Sequence, residues 1–262
     1  AMFALRALQN VGGVPRPVSV LLVTDEEVGS RSSRPITEAL ARQSAAVLVL
    51  EPAHGPRGAL KTSRKGVGEY LIKVAGREAH SGLDFEKGAS AVLELARQLA
   101  AIEKFTDLKR GITVNPGIIR GGTRRNVVAG EAVAEVDARI GKLKDGAYLD
   151  KKFRSLKPQD KRCKVEVSGG IGRPPLERSP QVAKLFKLAQ GLAQELGWKL
   201  EEAAVGGGSD GNFTAALGVP TLDGLGAVGE GAHARHESVL ISEVPRRAAL
   251  LASLIEQLPK IS

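Results

Sequence analysis

A single cysteine, Cys163, leaves no partner for an internal disulfide, so a reducing compartment is compatible with the chain. Aromatic residues make up only 3% of the 262 residues, too few for a stacking platform on single-stranded nucleic acid. No apolar run approaches the ~18–20 residues of a membrane span. The opening "AMFALRALQN" has neither a basic start nor a cleavage site of small residues, so no signal peptide is read and a cytoplasmic location is expected. Histidine is scarce as well: His54, His80, His233 and His236 are the four, and each can be weighed singly.

What is present is ordinary for a globular protein, with 42% hydrophobic and 26% charged residues. The net charge of +9 is uneven. Between Lys65 and Glu166 stand 21 basic and 14 acidic residues, so +7 of it lies there. Such a stretch is either a solvated basic face or an attractor of an anionic partner. The basic residues are interspersed with acids, which speaks against a nucleic-acid surface.

The chain reads as two alternating patterns. "AMFALRALQNVGG" puts Phe3, Leu5, Ala7 and Leu8 at helical spacing. "PVSVLLVT" predicts a buried strand, "SSRPITEALARQS" a helix entered through Ser33 or nearby, and "AAVLVLEP" a second buried strand: a βαβ unit with a parallel-type sheet. From Lys65 the pattern changes to the strand "GEYLIKVAG", an amphipathic helix from about Lys87 to Phe105 with Val92, Leu95, Leu99 and Ile102 on one face, and the strands "GITVNPGIIRGG" and "NVVAGEAVAEVDARI". The helix "YLDKKFRSL" and the strand "CKVEVSG" complete a ferredoxin-like βαββαβ order. The first pattern returns with "SPQVAKLFKLAQGLAQELG", capped at Ser179, then "KLEEAAV", the strand and glycine-rich loop "VPTLDGLGAVGE" and the helix "EVPRRAALLASLIEQLP". The expected fold class is α/β: a discontinuous domain, 1–64 and 174–262, holding a parallel-type sheet with flanking helices, interrupted by a lid at 65–173.

Three adjacent carboxylates, Asp25, Glu26 and Glu27, end the first apolar strand, and Glu51 ends the next. Open α/β sheets place their ligands at the carboxyl ends of strands. Convergent carboxylates there are explained by a divalent cation that offsets their repulsion; loop acids facing solvent, or N-caps of the next helices, are the alternatives. Asp25 reads better as a locally hydrogen-bonded acid. His233, in the glycine-rich "GEGAHARHESV", is the better-placed histidine for such a cation, and a mixed His and carboxylate set suits zinc.

The segments "TDEEVGS", "LEP", "AHSG", "NVV" with "DAR", "GGGSDGNF" and "AHARHE" occur in the order seen in metal-dependent M20 family peptidases, and the chain resembles that family from its first residue to about Arg247. The group includes glutamate carboxypeptidases, aminoacylases, succinyl-diaminopimelate desuccinylase and acetylornithine deacetylase. The resemblance implies two zinc ions per subunit. It implies that Glu26 is the general base for a metal-bound water, that Glu27 and His233 bind one zinc, and that Glu51 binds the other. It implies that His80 steadies the scissile carbonyl oxygen across a dimer formed by the lid. Asn126 and Arg139 are implied to hold the substrate carboxylate, and Gly207, Gly208 and Ser209 to line its pocket. His236 departs from the family pattern and reads as a neighbour of the site. His54 reads as a surface loop residue.

The family also carries about a hundred further residues before this point, by analogy with ordinary two-domain sizes. They hold a His-x-Asp segment and a bridging Asp. No His precedes His54 and no Asp precedes Asp25 here. The expectation is therefore a zinc-dependent amidohydrolase or carboxypeptidase, cleaving an amide beside a carboxylate-bearing group. This chain by itself is expected to be inactive, with zinc absent or partial. The competing expectation is a non-catalytic fragment or dimerisation scaffold. The expected partners are a small-molecule or peptide substrate bearing a carboxylate and a second copy of the chain, with no nucleic acid and no membrane.

Overall fold

The computed structural model describes residues 1–14 and 16–258. The chain packs as two compact units, one formed up to Arg64 and again from Pro175, the other by Lys65–Pro174. The first unit opens with α1 (Met2–Asn10), which buries Ala4 and Leu8 and leaves Phe3 exposed. The expected strand "PVSVLLVT" does not form. A strand is held by the backbone groups of a neighbour, and among the described residues no segment pairs with it. Val20 and Leu22 consequently stand 52% and 87% exposed. A 3₁₀ turn at Glu26–Val28, helix α2 (Arg34–Arg42), and the strands β1 (Val47–Leu48) and β2 (Leu60–Arg64) follow.

The second unit runs through β3 (Gly66–Ala75), β4 (Ala79–His80), α3 (Ala91–Glu103), β5 (Thr113–Gly121), β6 (Val127–Val128), β7 (Glu131–Ile140), α4 (Leu143–Arg154) and β8 (Lys164–Arg173). Its four-stranded antiparallel sheet has the order β5-β7-β3-β8, the ferredoxin-like arrangement read from the sequence. Period-two alternation turns Tyr70, Ile72 and Val74 of β3 and Ala134, Val136 and Ala138 of β7 towards the helices. There they meet Leu95 and Ile102 of α3 and Leu149 and Phe153 of α4. The Tyr70 and Phe153 rings stack with centroids 3.8 Å apart, and Phe105 meets Phe153 edge-on at 5.3 Å. Full burial of each large side chain stabilises by roughly 1.5–3 kcal/mol. The expected inner face of α3 is shifted: Val92 is exposed and Gln98 is buried in its place, hydrogen-bonded to Glu94.

The chain then returns to the first unit with α5 (Pro180–Glu195), β9 (Glu202–Val205), α6 (Gly211–Ala216), β10 (Thr221–Leu222), β11 (Gly229–Glu230), β12 (Ser238–Val239) and α7 (Val244–Gln257). The Ser179 hydroxyl accepts the Val182 amide at 3.2 Å and starts α5, as its sequence position predicts. The last expected helical residue, Pro259, lies outside the described residues. Strands β1 and β10 pair in parallel, as do β2 and β9, and the Lys61–Asp223 bridge joins the two pairs. Leu60, Phe186, Leu192, Leu222 and Leu250 form the main core. Ala4 and Leu8 of α1 pack on Leu251 and Ile255 of α7. No helix among the described residues is long and apolar enough to cross a membrane.

Candidate active site

The acidic turn is shaped by its first acid. Asp25 accepts the Ser32 amide at 2.8 Å, the Ser32 hydroxyl at 2.6 Å and the Ser33 amide at 3.2 Å. Hydrogen bonds from Ser32 and then Ser33 hold its carboxyl well below the usual carboxylate range. Asp25 is thus the acceptor at the start of α2, where Ser33, the expected point of entry, makes no cap bond through its own hydroxyl. Beyond it the chain reverses through Gly29 (φ +94°) and Ser30 (φ +56°). Ser30 is fully buried and donates its hydroxyl to Asp210 at 2.5 Å. That bond ties the acidic turn to the "GGGSD" loop after β9. Glu26 is half-buried and Glu27 exposed on this turn.

Glu51 follows β1. Its backbone carbonyl accepts the Gly226 amide at 2.9 Å, an approach in which a Cβ on Gly226 would lie 2.2 Å from the Leu50 carbonyl. Only glycine permits it. Burial, and next the charge of Asp223, push the Glu51 carboxyl up; Glu27 acts in the same direction, so the two glutamates share a field. Beneath lies a polar core that sequence reading missed. Arg64, 4% exposed, grips the fully buried Asp223 bidentately and points a third nitrogen at the carbonyls of Gly207 and Gly208, 3.1 Å from each. Ser209 donates its hydroxyl to the same Asp223 at 2.5 Å. Arg64 also stands 3.6 Å from Glu51. Gly207, Gly208 and Ser209 are therefore brought to Glu51 through one guanidinium. The available signal was the inward phase of "LKTSR": Leu60, Thr62 and Arg64 all point to the core.

His233 has φ +64°, and Ser30 is the other described non-glycine residue with positive φ. The His233 imidazole nitrogen Nδ1 faces Glu27 Oε2 at 3.8 Å, with both side chains 76% exposed. Glu27 and His233 are thus neighbours, and Glu51 lies within the electrostatic reach of Glu27. An imidazole and two carboxylates are the donor chemistry zinc accepts. As placed they do not close around an ion: among the described residues no three His, Cys, Asp or Glu side chains are positioned to hold one. His54 and His236 are exposed loop residues.

In the second unit His80 and Asn126 are brought together. His80 pairs with Val127 across β4 and β6, and the Asn126 carbonyl accepts the Ser81 amide at 3.0 Å. His80 Nδ1 accepts the Gly82 amide at 3.1 Å, so the neutral ring carries its hydrogen on Nε2, free to donate. Arg139 is not with them. It lies near the far end of β7 and is held bidentately by Asp137 at 2.9 and 2.8 Å. Asn126 and Arg139 thus lie towards opposite ends of β7.

Residues 62–159 match the peptidase dimerisation domain of the M20 family. Carboxypeptidase G2 of Pseudomonas sp. (strain RS-16) is 29% identical over 245 residues, which span 92% of this chain and 59% of that protein. Acetylornithine deacetylase of Myxococcus xanthus is 33% identical over 138 residues, 48% of this chain and 35% of that one. The chain thus spans a little over half, or less, of the curated relatives it matches. Among solved structures, the aminopeptidase PepT of Bacillus cereus ATCC 10987 superimposes with a TM-score of 0.82 at 22% identity, covering 98% of this chain and 68% of that one. Residues 62–159 thus belong to the M20 peptidase dimerisation-domain family, and on both sides of this inserted unit the chain is similar to M20 peptidases.

Proposed function

We propose that the protein hydrolyses an amide bond in a small substrate bearing a carboxylate. The observation that carries this is the joining of the acidic turn, the glycine loop and Glu51 through Ser30–Asp210 and Arg64–Asp223. Such a framework fixes carboxylates at a strand edge, where a solvated acid would not need fixing. Glu26 is assigned as general base, taking a proton from water as the oxygen attacks the amide carbon. His80, through Nε2–H, is assigned as donor to the carbonyl oxygen as charge develops there. The +7 balance between Lys65 and Glu166 favours an acidic substrate. Glu27, Glu51 and His233 are the side chains for zinc, which would supply a water of lowered pKa when bound.

The open placement of those three donors also favours a second reading, a dimerisation scaffold without turnover. The test is hydrolysis of N-acyl amino acids by the protein and by its Glu26→Gln variant. Turnover that falls by about 10²–10⁴-fold in the variant supports the hydrolase. Equal rates in the two would remove Glu26 as base, and no hydrolysis at all with a stable dimer would favour the scaffold.

A further inference from the structure

The second unit holds a groove of about 780 Å³ beside the β4 and β6 pair. Its volume is that of a small-molecule site. Four arginines line it, and two are already spoken for: Arg97 pairs with Glu94 at 3.0 Å, and Arg162 with Asp160 at 2.8 Å. Arg124 and Arg125 make no hydrogen bond or ion pair through their side chains among the described residues. Glu86 also lines the groove, and its carboxylate pairs with neither of them. The other wall is apolar, with Phe85, Val92 and Leu93 each more than 40% exposed.

The backbone beneath the arginine pair is fixed. The turn enters through Gly122 (φ +72°), and the Arg124 carbonyl accepts the Val127 amide at 3.1 Å. Asn126, next in sequence, holds the Ser81 amide. Two adjacent guanidinium groups on a fixed turn repel each other, in a segment whose charge is already +7. A carboxylate bound by both would offset that repulsion with charge-assisted hydrogen bonds. The apolar wall opposite suits a ligand with a hydrocarbon or aromatic body.

We propose that Arg124 and Arg125 form the anion-binding end of a small-molecule site that takes an organic acid with an apolar body. The identification of that acid as part of the substrate rests on the hydrolase reading, because Asn126 and His80 adjoin the pair. The binding itself does not rest on it.

The experiment is isothermal titration with three probes: hippurate (an aromatic carboxylate), N-methylbenzamide (its uncharged analogue) and inorganic phosphate. Wild type is compared with the R124A/R125A double variant and with Lys109→Ala, an exposed charge outside the groove. Circular dichroism checks that each variant is folded. The expected result is hippurate binding that weakens about tenfold for each arginine lost, is unchanged in Lys109→Ala, and exceeds that of both other probes. Equal hippurate binding by wild type and double variant, or none to wild type at millimolar concentration, would overturn the site. Amide binding equal to hippurate would overturn the role of the arginines, and phosphate binding equal to hippurate would overturn the apolar wall. Loss of hippurate binding in a protein that hydrolyses no amide would keep the site and discard the hydrolase. Amide hydrolysis by wild type that binds no hippurate would do the reverse, and hydrolysis unaffected in a double variant that has lost hippurate binding would keep the site but separate it from the substrate.

Discussion

Arg64 meets Asp223 through two parallel hydrogen bonds, 2.8 Å from Nε and 2.9 Å from Nη2, with both side chains buried. The third guanidinium nitrogen holds two carbonyls of the glycine loop. A lysine ammonium is a point donor and cannot fill both roles. Arg64→Ala leaves the Asp223 charge buried without its partner, and is expected to cost about 3–5 kcal/mol in denaturant unfolding. Arg64→Lys should cost less but raise the KM of any amide substrate, because the Gly207–Gly208 segment loses its anchor. An Arg64→Lys protein with unchanged stability and KM would show that the guanidinium geometry is not needed.

Glu94 gives a pH prediction. Burial alone would raise its carboxyl, but the amides of Asp160 and Gln159, with Gln98 and Arg97, outweigh that and lower it below its ordinary 4.5. The folded state therefore binds fewer protons than the unfolded chain in that window. The stabilisation is present above 4.5 and is lost as pH falls through the lower folded value. Glu94→Gln should cost about 2–3 kcal/mol at neutral pH. The gap between the two proteins should shrink in acid below 4.5. A gap that stays constant down to pH 3 would show that the charge contributes nothing.

Zinc content follows from how the donors sit. Structural and catalytic zinc sites use three or four protein ligands, whereas Glu27 and His233 approach at 3.8 Å with Glu51 further off. After dialysis this chain should carry fewer than two zinc ions, and His233→Ala should lower any residual content. Elemental analysis giving two zinc per chain would mean that other side chains complete the site.

The second unit should pair with a second copy along β5. Among the described residues that strand's outer edge has no neighbour, and Ile118 and Ile119 stand exposed on it. The opposite edge, β8, is partly covered, since Arg154 donates to the Gly169 carbonyl at 3.1 Å. Ile119→Lys should shift sedimentation towards the monomer. A variant that sediments as wild type does would move the interface elsewhere.

The parts of the fold that were legible in the sequence are those whose periodicity is set locally. The alternation of Tyr70, Ile72 and Val74 and the cap at Ser179 needed only near neighbours in sequence. "PVSVLLVT" has equal apolar character, yet a strand is a property of pairs, and pairing is not written in the segment itself. The same holds at the site. Glu27 and His233 could be read from their motifs, whereas Arg64 and Asp223 meet across 159 positions and have no motif. Ser30 gave no signal either, because its role depends on a left-handed backbone and on Asp210 far along the chain.

Arg139 stands eight residues along β7 from Glu131, next to the turn that follows β6, so at ~3.3 Å per residue it is about 25 Å from the end where Asn126 lies. A ligand shorter than that cannot touch both residues of one chain. If both act on one substrate, they come from different copies. Two preparations, each silenced at one of the two positions, would then rescue one another on mixing, since an exchanged pair regains one cleft with both residues intact. Recovery of up to half the activity of a normal pair, rising as subunits exchange, would be the signature of this division.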